Sequence, residues 1–315
     1  MMMTPKKELD FNGVKRYSVK QRPSKVNGEH FARPLSSKGD FHDFWEALPD
    51  ILQVSKLKSL VRNLRESRDR GAPIYWMMGG HVIKVGLGPL IKQLIDEGWV
   101  QGLFMNSAAS IHDSEIARFG ATSEDVSIAI RDGSFGMAEE TSVEYLHELK
   151  VGVDSGLGWG ESVATWLGRE EHPYREKSLL AHCFDRDLLV TIHGALGTDI
   201  IWQHPEMDGA CLGLGGERDF KKMAYALQDL EGGAVLNWGS AVIMPEVFLK
   251  AFTVARNLGA KMEIFSTANF DMIQHYRPRV NVLERPTQGG GASFAMTGHH
   301  EIMMPLVAQA LICGV

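Results

Sequence analysis

The sequence predicts a doubly wound α/β fold with a mainly parallel sheet, preceded by an extended N-terminal arm and a helix. Three observations carry this. Short continuous apolar runs, such as Pro73–Met78 and Leu188–His193, have the length of strands. They lack polar alternation, so both faces are expected to be buried. Stretches with helical spacing separate these runs, and polar or Gly-rich turns follow them.

Taken in order, residues 1–38 are rich in Lys, Arg, Pro, Ser and Gly and read as an arm. It either hangs free or packs on a neighbouring subunit. Residues 39–315 are expected to form one domain. From Asp40 to Arg70, Phe44, Leu48, Ile51, Leu52, Leu57, Leu60, Val61 and Leu64 fall at helical spacing, and Gly71-Ala72-Pro73 stops the run. Pro73–Met78 is the first strand. Gly79-Gly80-His81 opens a helix that runs to Glu97. Val100–Asn106 is the second strand and Ser110–Phe119 the next helix. Thr122–Arg169 mixes a Gly-rich turn with polar helices. Leu188–His193 is a strand, Phe220–Leu230 a helix, Ala234–Asn237 a strand and Pro245–Leu258 a helix. Met262–Ser266 is expected as the last strand, Gln288–Ser293 as a flexible loop and Ile302–Ile312 as a helix.

Composition narrows the function. Hydrophobic residues make up 44% and charged residues 23%, which excludes wholesale disorder. Lys plus Arg number 33 against 39 Asp plus Glu, a net charge of -6. That balance gives no global reason to bind nucleic acid or anionic lipid, and it mildly favours a cationic small molecule. The three cysteines form neither a C-x-x-C pair nor a zinc spacing, which suits a reducing compartment. The N-terminus has no apolar core, so no signal peptide or membrane span is expected, and a cytoplasmic location follows.

In doubly wound sheets, ligands sit beyond the carboxyl ends of the strands. Four turns there draw interest: Gly79–Gly86, Asn106–Glu115, His193–Asp199 and Asn237–Ser240. Small residues let backbone N–H groups approach a ligand, and three of these turns lead toward helices. The usual fingerprints are missing: no G-x-G-x-x-G follows a strand, and there is no P-loop or G-x-S-x-G elbow. His112 and Glu115, three apart on a helix, could join His193 or the pair His299-His300 around a divalent metal. Alternatively, His112 and Asp113 bond a ligand or cap a helix.

In this order, Gly79-Gly80-His81 with Gly86, Ser107–Asp113, Gly194–Asp199, Trp238–Val242 and Ser266-Thr267-Ala268 resemble the deoxyhypusine synthase family. The resemblance spans roughly residues 70 to 310 and is nearest the bacterial deoxyhypusine synthase-like proteins. A looser one, at His112-Asp113, is to the NAD-binding domain of ornithine cyclodeaminases of the arginine dihydrolase type. The resemblance implies a Rossmann-like fold, NAD as cofactor and a homotetramer. It implies NAD contacts near Gly80, His81, Ser107, Ala108, Ala109, Asp113, His193, Ser266, Thr267 and Ala268. Asp199 matches the acidic residue that holds an amine of the polyamine. The family's lysine segment reads here Thr297-Gly298-His299, so no lysine stands at that place.

The expectation is therefore an NAD-dependent enzyme acting on a small amine or polyamine, not a true deoxyhypusine synthase. It would oxidise next to nitrogen, then transfer or hydrolyse the imine. His299 or His300 would act as base, Asp199 and Asp113 would hold the cation, and Trp238 would either face it or lie buried in the core. Lys84 would pair with a cofactor phosphate or replace the lysine. Two alternatives stand beside this reading: a non-catalytic NAD-binding protein, and a metal-dependent hydrolase built on His112, Glu115 and His193.

Overall fold

The computed structural model describes residues 6–169 and 171–315. The arm's first five residues lie outside the described ones. Residues 6–39 form an exposed chain with three short 3-10 turns, and Arg33 ties it to the following helix through a backbone bond to Ala47.

Helices α1 (Phe41–Ala47) and α2 (Leu52–Asp69) precede the sheet. β1 (Ile74–Met78) leads through α3 (Gly80–Lys84) and α4 (Gly88–Asp96) to β2 (Gly102–Asn106) and α5 (Ser107–Phe119). A long excursion holds α6 (Val126–Ala129), α7 (Glu139–Asp154), α8 (Trp159–Arg169) and α9 (Leu179–Asp185). β3 (Leu189–His193) is followed by α10 (Gly209–Ala226), β4 (Ala234–Trp238), α11 (Ile243–Asn257) and β5 (Ser266–Asp271). The turn α12 (Tyr276–Pro278), β6 (Ala292–Thr297) and α13 (His300–Cys313) close the chain.

All six strands are parallel, in the order β3-β2-β1-β4-β5-β6. This is the order of doubly wound dinucleotide-binding folds, and the winding reverses between β1 and β4. Alternation along the strands splits the core in two. Trp76, Met78, Leu103, Met105, Val190 and Ile192 face α2, α4, α5 and α7 to α9. Tyr75, Met77, Phe104 and Val235 face α11 and the C-terminal half of α10. Each fully buried side chain of this size contributes about 1.5–3 kcal/mol of transfer free energy, which explains the unbroken apolar runs.

Several expected boundaries move, each for a local reason. The helix expected over Asp40–Arg70 is two helices, because Pro49 forces Leu48 into an extended conformation (ψ 142°). The helix expected from Gly80 to Glu97 breaks at Gly86, whose φ of +82° suits glycine. α5 begins at Ser107, not Ser110, because the Asn106 side chain caps it by accepting from the Ala109 N–H at 3.0 Å. The helix expected from Phe220 reaches back to Gly209, where Asp208 caps it. The strand expected at Met262–Ser266 starts at Ser266 instead. The loop expected at Gln288–Ser293 ends in a sixth strand, β6, that pairs with β5 from Ser266↔Ala292 onward.

Candidate active site

Beyond the carboxyl ends of β1 to β3 lies a cleft of about 260 Å³. Its polar wall is Lys84 from α3, His112 and Glu115 from α5, Glu124 from the following loop and Asp199 from the turn after β3. Ala108, Ile111, Val126, Phe135 and Ile200 supply the apolar wall. Three carboxylates against one lysine make the cleft acidic.

Asp199 is oriented by Ser107, the first residue of α5, whose hydroxyl donates to Asp199 Oδ2. Burial pushes the Asp199 carboxyl above its ordinary range, and the bonds from Ser107 and Thr198 oppose that. Across the cleft, Glu115 accepts from the Thr122 hydroxyl and, at 2.8 Å, from the Thr141 hydroxyl. Burial would raise this carboxyl, but the neighbouring His112 ring, 3.9 Å away, and the bonds from Thr122 and Thr141 hold it below its ordinary value.

These bonds assign the His112 tautomer. The single Thr122 hydroxyl proton goes to Glu115, so the Thr122 oxygen must accept from His112 Nδ1, 2.6 Å away. Nδ1 then carries a proton, and in the neutral tautomer the lone pair is on Nε2. A base oriented by a carboxylate through a hydroxyl, beside a carboxylate that would hold a cation, is suited to taking a proton from an amine.

A second group lies where the winding reverses. The Gly79 N–H donates to Trp238 O, and the Gly239 N–H to Phe270 O. A Cβ on Gly79 would stand 2.6 Å from Gly239 O, and one on Gly239 would stand 2.5 Å from His300 Nε2. Both glycines let the turns after β1 and β4 close on each other. His300 is 1% exposed, its ring centroid is 5.7 Å from His81, and its Nδ1 has no partner. Burial lowers its pKa.

The expected site residues thus separate into groups. Ala108 and Asp199 line the cleft, with Ser107 behind Asp199. Gly80 packs on Ala108 and His112, where a Cβ would meet Ala108 Cβ at 3.2 Å. Ala109 is wholly buried. Asp113 faces away from both places. Its carboxylate accepts from the Ser178 hydroxyl and from the Leu179 and Leu180 N–H groups, so it anchors the start of α9. Trp238, expected to face a cation, is buried in a stack, 3.8 Å from Phe270 and 5.2 Å from Trp76. Ser266, Thr267 and Ala268 open β5 beside Ala234, Val235 and Leu236, at the amino end of the sheet. His299 is exposed, and neither it nor His300 lines the Asp199 cleft. His193 ends β3 in a separate groove, so His112, Glu115 and His193 do not converge. No three metal-ligating side chains among the described residues are placed to hold an ion.

Thr122, Glu124, Thr141 and Phe135 escaped sequence reasoning. They sit in a polar stretch without periodicity, and only the fold brings them to α5.

No curated protein sequence matches the chain. The family described as arginine dihydrolase ArgZ-like, C-terminal, Rossmann fold, matches residues 58–138, from α2 to the loop before α7. Unliganded AgrE superposes with a TM-score of 0.53 at 18% identity, over 82% of this chain and 32% of that one. The apo structure of ArgZ, an arginine dihydrolase from the ornithine-ammonia cycle in cyanobacteria, gives 0.51 at 13% identity, over 82% and 31%. A putative deoxyhypusine synthase from Entamoeba histolytica gives 0.51 at 9% identity, over 90% and 96%. The chain spans about a third of the length of the first two. These likenesses establish a Rossmann-type fold. No helix among the described residues is long and apolar enough to cross a membrane.

Proposed function

We propose that the protein is an NAD-dependent enzyme acting on a small cationic amine held in the Asp199 cleft. The observation that carries this reading is the pairing of a half-buried carboxylate, Asp199, with a histidine whose Nε2 is free to accept a proton, across one acidic cleft at the carboxyl ends of the strands. Its size suits a diamine or a basic amino acid, and its charge disfavours an anionic substrate.

NAD fits the crest of the sheet. The winding reverses there, the turns after β1 and β4 meet backbone to backbone at Gly79 and Gly239, and His300 keeps a buried nitrogen without a partner. Gly80, His81 and His193 are the residues that would hold it. NAD, when bound, supplies the acceptor for a hydride. The chain's own residues do the rest. Asp199 holds the ammonium, and His112 Nε2 takes the proton released as the amine becomes an imine. Ile111, Phe135 and Ile200 shield the cleft from water. The ArgZ-like match over residues 58–138 and the likeness to AgrE and ArgZ support a role in basic amino acid chemistry.

The test is a turnover screen of ornithine, arginine, lysine, putrescine and spermidine with NAD, followed by NADH absorbance. Turnover of one of them, lost in His112→Ala and strongly reduced in Asp199→Asn, is the expected result. A substrate whose turnover ignores both changes would refute this site.

A further inference from the structure

The segment that carries Asp199 walls a second cavity on its other side. Gly194 and Leu196 line this groove of about 340 Å³ beyond β3, while Thr198, Asp199 and Ile200 line the acidic cleft. The rest of the groove is Trp159, Trp202 and His193, the face of α10 bearing Gly209, Leu212, Gly213, Gly216 and Phe220, and Val247 of α11.

Three properties of this groove point to one chemistry. First, a Cβ on Gly209, Gly213 or Gly216 would meet nothing within 4 Å. Glycine weakens a helix interior, where Gly213 and Gly216 lie, and no packing requirement explains either of them; Gly209 opens the helix after the Asp208 cap. What their absent side chains leave is open space on α10 between Leu212 and Phe220, facing a groove that Trp159 and Trp202 also line. Second, no charged side chain lines the groove. Third, it contains a directed polar group. His193 is 4% exposed, and its Nε2 shares a hydrogen with Thr191 Oγ1 at 2.8 Å. Its Nδ1 has no hydrogen-bond partner among the described residues, and burial keeps the ring neutral.

We propose that this groove binds an uncharged planar heterocycle of the nucleobase type, stacked between the aromatic walls and the glycine face of α10 and read by His193 Nδ1. Such a ring supplies what the walls lack: a second π-face and one hydrogen-bond partner. A cationic amine is excluded by the missing carboxylate, and so is the cationic ring of oxidised nicotinamide. Resting on the proposed NAD reading, the groove takes the adenine end of the dinucleotide, and the Gly194–Ile200 segment separates it from the amine.

The experiment titrates the full chain with AMP, with NAD and with the best amine of the screen. Calorimetry and tryptophan fluorescence give the readouts. Binding of AMP is expected to quench tryptophan emission, and Trp202→Phe to remove most of the quench. Gly213→Leu and Gly216→Leu, which fill open space, are expected to weaken AMP by roughly tenfold or more. Thermal midpoints should be unchanged or raised, and amine affinity retained. AMP affinity that survives both glycine variants overturns the proposal, as does absence of AMP binding to the wild type. So does a groove covered by a second copy, seen as a dimer whose dissociation alone admits AMP. If NAD binds and AMP does not, the groove proposal fails and the NAD reading stands. If AMP binds as described and NAD does not, the groove proposal stands and the NAD reading fails.

Discussion

Asp219 offers the sharpest quantitative prediction. It sits inside α10 with no exposed surface, and its Oδ2 accepts from the Gly160 and Ile192 N–H groups, both at 2.7 Å. It therefore clamps α10 to the start of α8 and to the residue before His193. Its Oδ1 is buried without a partner. Burial pushes the carboxyl from its ordinary 3.8 up to about 7. The folded state thus holds a proton that the unfolded chain releases. Stability from this group is complete below about pH 4 and is lost as pH rises to about 7. Three pH units at about 1.4 kcal/mol each correspond to a loss of about 4 kcal/mol. Asp219→Asn keeps an oxygen for the two N–H groups and cannot ionise. In denaturant titrations from pH 5 to pH 8, the variant should gain roughly 3 kcal/mol on the wild type. Asp219→Ala should cost about 2–6 kcal/mol near pH 5, since two buried N–H groups lose their acceptor, and that cost should shrink by roughly 3 kcal/mol at pH 8, where the wild type carries the buried charge. A pH slope shared by the wild type and Asp219→Asn would refute the reasoning.

Three further outcomes follow from the same geometry. Asp113→Ala removes one acceptor from three buried donors, and should cost about 3–5 kcal/mol in chemical denaturation. NAD affinity in the folded protein should stay near that of the wild type, and a selective loss of NAD binding with little loss of stability would restore Asp113 to the cofactor site. Gly239→Ala places a Cβ at φ +70° and 2.5 Å from His300 Nε2. It should cost about 1–3 kcal/mol in thermal unfolding and weaken NAD, and a neutral result would show that His300 moves freely. His299→Ala should leave stability within about 0.5 kcal/mol of the wild type and turnover unchanged, because its side chain is exposed. A loss of turnover there would return the base to the start of α13.

The wound sheet was legible because burial on both faces writes itself as unbroken apolar runs, as in Tyr75–Met78 and Val190–His193. β6 was not. Ala292-Ser293-Phe294-Ala295-Met296-Thr297 is an edge strand with partly exposed residues, and the three glycines before it look like a loop. The misplaced start of β5 had a larger effect. Buried Met262 and Phe265 mimic a strand, so Ser266–Ala268 were expected at the carboxyl end and lie at the other one. In the candidate cleft, Ser107 and Asp199 meet because each follows a strand of the sheet. Trp238 and Asp113 were assigned functions because a side chain's direction is not written in its neighbours. One is consumed by a ring stack and the other by a helix start. The relay from His112 through Thr122 to Glu115 joins residues that no spacing rule connects.

The central claim is that the carboxyl edge of this sheet holds NAD beside an acidic amine cleft. Its most direct measurement is calorimetric titration of the purified chain with NAD and NADH, in the presence and absence of the amine that the screen selects. Saturable binding of the dinucleotide, with amine binding that weakens about 10-fold or more in Asp199→Asn, is the predicted result. Failure of both NAD and NADH to bind at millimolar concentration would contradict it.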